Sequence, residues 1–230
     1  MKKFKKKMIK FVLCVFCLSS FSILEKDVLK VSIVLIDEGL DEDLSDYAIK
    51  KLPKSTGIAF NSLEPKNLEK AEKARKKGLD IFYLSRLGVL KNNIGNSGVN
   101  SIWPETSKEK VKRRIVKSLL GLKTNKIIFW HGSAFNSQKS YANINSAISN
   151  LSITPLILNK SIYFIKHKNQ KFASTNIKKG EKFVNKLESA YRERLITPNN
   201  ILVGILTREG VDEIAMWSSK NKGYIKILEV

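Results

Sequence analysis

The sequence predicts a single α/β domain of parallel βα units, arranged either as a doubly wound sheet or as a barrel. Two observations carry this prediction. Short apolar runs rich in β-branched residues recur along the chain, and amphipathic helical patterns separate them. The 230 residues, of which 43% are hydrophobic and 9% aromatic, suffice for one domain with one core.

The predicted strands are continuous apolar runs, which is typical of strands that are buried on both faces of a parallel sheet. "VSIVLID" is the clearest of them, because it is unbroken and mostly β-branched. In chain order the strands are expected at 31–37, 55–60, 79–84, 126–130, 153–158, 162–166, 200–206 and 224–230.

Helical patterns fill the intervals between these runs. Pro65 is suited to a helix start and Gly78 to its end. Thr106 and Glu109 form a T-x-x-E capping box for the next helix. Three further helices are expected, one through 147–148, one over about 177–195 and a short one near 211–219.

The amino terminus has the pattern of an export signal. The basic stretch "MKKFKKKMIK" precedes an apolar run at 11–24, which is shorter than the roughly 20 residues of a spanning helix. We predict a signal peptide or an N-terminal anchor at 1–24 and one domain at 25–230. The protein would then be exported and be periplasmic or associated with the cell envelope.

Both cysteines, Cys14 and Cys17, lie inside this segment. The remaining chain would contain none, which excludes structural disulfides and cysteine-based chemistry. Lipid anchoring is only weakly supported, because Leu13 and Phe16 stand before the cysteines where a small residue is needed.

The charge is strongly basic, with 42 Lys and Arg against 21 Asp and Glu and a formal net charge of +21. Nucleic-acid binding is not expected, because the lysines are spread along helices instead of clustering with aromatic residues. Anionic envelope polymers or lipid headgroups are the expected partners of such a surface, including peripheral contact with a membrane.

Ligands of parallel α/β folds bind beyond the carboxyl ends of the strands, and this rule selects the candidate residues. Asp37 and Glu38 follow the first strand, and two adjacent carboxylates there could divide the work of holding a cation and activating its water. Alternatively, Asp37 caps a turn and the acids through Asp46 begin a solvated helix.

Two further strand-end residues carry open alternatives of the same kind. His131 follows an aromatic-rich strand and is either a ligand or acid–base group or a hydrogen-bonded structural residue. Trp130 either stacks on a sugar or packs at the rim of the core.

Taken in order, these pieces resemble the divergent polysaccharide deacetylase family, exported relatives of the carbohydrate esterases that remove N-acetyl groups from glycans. "VLIDEG" is similar to the family's opening Ile-Asp-Asp-x-Gly, and "KKLPKSTGIAF" to its leucine-proline before the second strand. "AEKARKKGLDIFYL" matches an alanine-rich helix and third strand, "FWHGSAF" a shortened Asn-His-Met-Gly-Ser, and "NNILVGILTREG" the closing strand. The resemblance covers about 31–230 and implies a deacetylase-type (β/α) barrel, either complete or with about seven βα units or fewer.

The resemblance implies metal-dependent hydrolysis of N-acetyl groups on an envelope glycan such as peptidoglycan. It assigns Asp37 as the catalytic base, and Glu38 and His131 as ligands of Zn²⁺ or another divalent metal. The substrate-binding candidates are Trp130, Ser133, Arg86 and Arg208.

The sequence also departs from the family pattern. "FYLSRL" lacks the histidine that the family places at the end of the third strand, and Ile205 follows Gly204 where the family has Gly-His-Pro. A catalytic zinc ion takes about three protein ligands, and using Asp37 as one of them removes the base. The competing hypothesis is therefore a catalytically inactive deacetylase-fold protein, without a metal, that binds peptidoglycan or another envelope partner.

Overall fold

The structure is a computed structural model that describes residues 29–39, 41–61, 64–88, 101–131, 137–157, 171–177, 200–222 and 225–229. Within these residues it contains eight strands and five helices. The strands are β1 (Leu29–Ile36), β2 (Gly57–Phe60), β3 (Asp80–Leu87), β4 (Lys126–His131), β5 (Thr154–Ile157), β6 (Lys171–Ile177), β7 (Asn200–Ile205) and β8 (Ile225–Ile227). The helices are α1 (Glu42–Lys51), α2 (Pro65–Lys76), α3 (Lys108–Leu122), α4 (Gln138–Ile148) and α5 (Arg208–Lys220).

The parallel strands close into a ring. Strands β1 to β7 pair in chain order, and β1 completes the ring by pairing with both β2 and β7. Ile36 lies opposite Ala59 on one side and opposite Ile205 on the other. The short β8 pairs with the first part of β1, outside this ring. The predicted fold class, an incomplete (β/α) barrel, is confirmed.

Alternation along each strand divides the apolar side chains into two clusters. On β1, Val34 and Ile36 belong to an inner cluster, whereas Ile33 and Leu35 belong to an outer cluster between the strands and the helices. The inner cluster consists of Val34, Ile36, Ala59, Phe82, Leu84, Ile128, Leu156, Ile201 and Val203. Alternate residues of a strand therefore lie on opposite sides of the barrel wall, and counting from a residue of the inner cluster shows which side a given residue occupies.

Helix α3 shows how the sequence builds the outer layer. Val111, Ile115 and Leu119 recur every four residues and are buried, while the intervening lysines are exposed. The expected cap at Thr106 is wrong by one residue: Ser107 is the N-cap, and its hydroxyl accepts a hydrogen bond from the Lys110 N–H. The Thr106 hydroxyl is engaged elsewhere, because it accepts a bond from the Trp103 N–H.

Two differences from the predicted elements affect the site. Strand β3 runs on through Leu87, so Arg86 lies within the strand and not in the loop after it. Strand β6 was not expected, because "KFASTNI" is too polar to read as a buried strand. The predicted strand at 162–166 and nearly all of the helix at 177–195 lie outside the described residues, although Ile177 itself ends β6.

None of the helices in the described ranges is both long and apolar enough to cross a membrane. The predicted signal segment at 1–24 lies outside those ranges. Its assignment, and that of the domain at 25–230, stays a prediction.

Gly57 faces the crowded interior of the barrel and provides a test of ring closure. An added Cβ would lie 2.8 Å from Cε2 of Phe82 and 2.9 Å from Cγ2 of Val34. We expect Gly57→Ala to lower the free energy of unfolding by about 1–3 kcal/mol, because the core has no room for the methyl group. Urea unfolding followed by circular dichroism measures the change.

The matched control is Gly121→Ala, on the exposed side of α3. This change should raise the free energy of unfolding by about 0.5–1 kcal/mol, because alanine is the better helix former. A Gly57→Ala variant as stable as the wild type would contradict the tightly packed interior.

Candidate functional site at the carboxyl end of the barrel

Asp37, the predicted base, is buried on the helix side of the barrel wall. It is 5% exposed, and its Oδ1 accepts a hydrogen bond of 2.8 Å from the Gly39 N–H. Oδ2 accepts a bond of 2.5 Å from the hydroxyl of Ser45, a buried residue of α1. Gly39 has φ +72°, a conformation that favours glycine in this tight turn. Both carboxylate oxygens therefore hold the connection from β1 to α1, which is the turn-capping geometry considered above.

Glu38 lies on the other side of the wall. It lies beyond the end of β1, and its position on the inner side follows from its electrostatic effect on Arg86, whose neighbours Phe82 and Leu84 belong to the inner cluster. Its carboxylate acts electrostatically on the guanidinium of Arg86. The structure thus separates the adjacent acids Asp37 and Glu38, and does not bring both into one cavity.

Arg86 carries a buried guanidinium on the inner face of β3. Phe82 and Leu84, which precede it at intervals of two, belong to the inner cluster, and Arg86 itself is 3% exposed. Its Nε, Nη1 and Nη2 find no hydrogen-bond partner among the described residues. Burial lowers the pKa of Arg86, and the Glu38 carboxylate partly offsets this by raising it. Arginine nevertheless remains protonated, so the barrel holds a desolvated charge.

Trp130 lies beside this charge on the neighbouring strand. Arg86 and Trp130 are paired in register, and the guanidinium carbon is 5.8 Å from the centre of the indole ring. This separation is within the range of a cation–π contact, which compensates the charge only in part. Trp130 packs against the inner cluster and is half-buried. We call Glu38, Arg86 and Trp130 the mouth cluster.

At the opposite end of β3, a buried charge forms an ion pair. Asp80 begins β3, and both of its carboxylate oxygens lie 2.6 Å from Nζ of Lys126. The two side chains are 6% and 17% exposed, respectively. Strand β3 therefore carries a charge with a close ion-pair partner at its first residue, Asp80, and a charge without a described ion-pair partner near its end, Arg86.

The other predicted residues are placed differently. The backbone of His131 ends β4 opposite Leu87, while its side chain and all of Ser133 lie outside the described structure. Arg208 begins α5 in the outer layer, where its guanidinium stacks 4.5 Å from the centre of the Tyr47 ring of α1. The Tyr47 hydroxyl donates a hydrogen bond to Asp212, which is the main cause of its raised pKa.

The described side chains do not fit a catalytic metal. No three His, Cys, Asp or Glu residues among them lie close enough together to hold an ion. The inner strand ends instead present Arg86 on β3 and Ile205 on β7, and neither side chain is a metal ligand. No step through a metal follows from these residues. The Zn²⁺ site of Asp37, Glu38 and His131 stays a prediction.

Comparison with known proteins extends the description of the fold. No protein-family model and no curated protein sequence matches this chain. Among solved structures, the uncharacterized protein ATU2773 from Agrobacterium tumefaciens C58 is similar, with a TM-score of 0.72, 18% identity, and coverage of 89% of this chain and 88% of that one.

Two more distant solved structures are also similar to this chain. The pneumococcal virulence factor StrH, studied for N-glycan recognition and hydrolysis, has a TM-score of 0.50 and 10% identity over 88% of this chain and 87% of that one. The Xyl-CE4 domain of a multidomain xylanase from the hindgut metagenome of Trinervitermes trinervoides has a TM-score of 0.47 and 8% identity, with 87% of each chain covered. At 18% and 10% identity, ATU2773 and StrH show a likeness of fold and nothing about the chemistry, and no argument rests on the Xyl-CE4 domain.

Asp37→Ala tests the structural role of that carboxylate. We expect a loss of about 2 kcal/mol in the free energy of unfolding, because the buried Ser45 hydroxyl and the partly buried Gly39 N–H lose their acceptor. The double variant with Ser45→Ala should lose less than the sum of the two single changes. Additive losses in urea unfolding would show that the two side chains do not interact.

Replacing Arg86 by methionine should have the opposite effect. We expect Arg86→Met to raise the free energy of unfolding by about 1–3 kcal/mol, because it removes a buried charge and keeps most of the apolar volume. Arg113→Met, an exposed arginine of α3, serves as the control and should change stability by less than about 0.5 kcal/mol. A destabilised Arg86→Met variant would mean that the guanidinium is satisfied in the folded protein.

Proposed function

We propose that this chain is a deacetylase-like barrel protein of the cell envelope that binds a glycan without hydrolysing it. The ligand is peptidoglycan or another amino-sugar polymer, bound at the carboxyl end of the barrel. One observation carries the proposal: the inner end of β3, where the family resemblance expects a histidine, holds the buried Arg86, whose guanidinium has no hydrogen-bond partner among the described residues. An arginine cannot replace a metal ligand, but it can bind a polar ligand.

The composition of the mouth cluster supports a sugar ligand. An indole offers a flat apolar surface with a polar edge, which suits the face of a sugar ring, and Trp130 retains exposed surface. The guanidinium of Arg86 offers donors, and the carboxylate of Glu38 offers acceptors, for ring substituents. An unsatisfied buried group lowers stability, and functional sites are where chains retain such groups.

The hydrogen bonds of Asp37 argue against hydrolysis. Both of its oxygens already accept bonds from Gly39 and Ser45, so action as a base would break the turn that leads into α1. The competing hypothesis, metal-dependent removal of N-acetyl groups through Asp37, Glu38 and His131, rests on the order of the sequence motifs. The export pattern at 1–24 supports an envelope location, and the net charge of +21 suits peripheral contact with anionic headgroups.

Calorimetric titration with peptidoglycan fragments and with chitooligosaccharides tests the proposal. We expect saturable binding that a metal chelator leaves unchanged, no release of acetate, and a melting temperature that is indifferent to Zn²⁺. Trp130→Ala should weaken binding by about tenfold, because it removes the stacking surface, whereas Trp130→Phe should retain most of the affinity.

The melting temperatures of both Trp130 variants control for misfolding. Zn²⁺-dependent release of acetate that is abolished by Asp37→Asn would establish the deacetylase instead. Absence of saturable glycan binding by the wild type would overturn the binding function.

A further inference from the structure

We propose that Arg86 recognises a carboxylate on a sugar ring that lies against Trp130, so that the ligand of the barrel is an acidic saccharide. The inference rests on the proposed glycan binding and specifies the class of glycan. It follows from the juxtaposition, on neighbouring strands, of a half-buried indole and a buried guanidinium that forms no hydrogen bond within the described ranges.

The buried guanidinium of Arg86 needs both hydrogen-bond acceptors and a compensating charge. It has five N–H donors, and none of its three nitrogens is hydrogen-bonded within the described part of the chain. Sugar hydroxyl groups would satisfy the hydrogen bonds but would leave the charge uncompensated in a medium of low polarity. A carboxylate accepts the hydrogen bonds and also compensates the charge, because its two oxygens accept two parallel hydrogen bonds from the guanidinium.

Glu38 acts on Arg86 only through space. Its carboxylate raises the pKa of the guanidinium, but the described contacts include no hydrogen bond or ion pair between the two side chains. Glu38 is half-exposed, so water screens part of its charge. It therefore stabilises the charge of Arg86 without occupying the donors, and a ligand carboxylate would have to approach against its repulsion.

The guanidinium fork accepts either a carboxylate or a phosphate, so the charge of the site separates the two anions. The described mouth cluster contains one cation, Arg86, and one anion, Glu38, so its own net charge is zero. A singly charged carboxylate leaves this site with a net charge of −1, whereas a phosphate dianion leaves −2 close to Glu38. The carboxylate is thus the better match.

The centre of the Trp130 indole lies 5.8 Å from the guanidinium carbon, so a group bound to Arg86 brings whatever carries it next to the indole. An acid attached directly or through a short link to a pyranose ring therefore places that ring beside the indole, next to the face that the guanidinium covers. N-acetylglucosamine that bears a 3-O-lactyl ether, N-acetylmuramic acid, has this arrangement.

The experiment compares three ligands that share one ring. The full chain is titrated calorimetrically with N-acetylglucosamine, with N-acetylmuramic acid and with N-acetylglucosamine 6-phosphate. We expect the lactyl acid to bind about tenfold or more tightly than the neutral sugar, and more tightly than the phosphate. Tighter binding of the phosphate than of the acid would overturn the assignment to a carboxylate.

Two variants with opposite expectations sharpen the test. Arg86→Gln should reduce the affinity for the acid to that for the neutral sugar, and Arg86→Lys should recover little, because lysine lacks the fork. Glu38→Gln should increase the affinity for the acid several-fold, on the order of threefold or more, because a repulsive charge is removed. A Glu38→Gln variant that binds the acid more weakly would overturn the inference.

The outcomes distinguish this inference from the proposed function. Equal affinity for the neutral and acidic sugars, unchanged in Arg86→Gln, would overturn the role of Arg86 while leaving glycan binding intact. Failure of the wild type to bind any of the glycans would overturn the proposed function itself. Melting temperatures establish that each variant is folded, and Glu38→Gln supplies an independent result if Arg86→Gln does not fold.

Discussion

The pairing of β1 with both β2 and β7 is the constraint on which the other features of the molecule depend. Because all strands of the ring are parallel, closing it brings their carboxyl ends to one opening and their amino ends to the other. Closure also creates an interior, and this space contains the inner cluster, whose described members all belong to strands. Without it, Arg86 on β3 would lie on an open sheet face, and its guanidinium would not be desolvated.

The two ends of the barrel differ in whether a buried charged side chain has a described ion-pair partner. At the amino end, Asp80 and Lys126 neutralise each other at 2.6 Å. At the carboxyl end, the described residues offer Arg86 the electrostatic field of Glu38 and the face of Trp130, and no hydrogen bond. A charge without a close partner costs stability, and a ligand that supplies the partner recovers that cost on binding. The unmatched end is therefore the one where a bound anion gains most.

Sequence periodicity was sufficient for most of the fold. The continuous apolar runs located β1, β2, β3, β4, β5 and β7, because strands buried on both faces need little else to be recognised. It failed for β6, whose residues "KFASTNI" are mostly polar, and whose membership in the sheet comes from its neighbours β5 and β7. The local sequence pattern cannot predict a strand that forms because the neighbouring strands pair with it.

The site was less predictable for a related reason. Asp37 and Glu38 are adjacent in sequence, and only the position of the strand end decides that they occupy opposite sides of the wall. Arg86 was recognised as a candidate but was placed in a loop. The available signal was the interval of two from Phe82 through Leu84 to Arg86, which continues the inner face. That no described residue forms a hydrogen bond with the Arg86 guanidinium depends on the packing of separate strands, which no sequence pattern predicts.

The strand β8 has a consequence for how the chain reaches this structure. It lies outside the ring and pairs with the first part of β1, so that Leu29 is joined to Ile225. The earliest strand to be synthesised therefore has three partners, and two of them, β7 and β8, are made last. Contacts between such distant parts of a chain form slowly, and β1 stays incompletely paired until translation is nearly finished. A barrel with this order of assembly cannot close its ring before its last strands have been made.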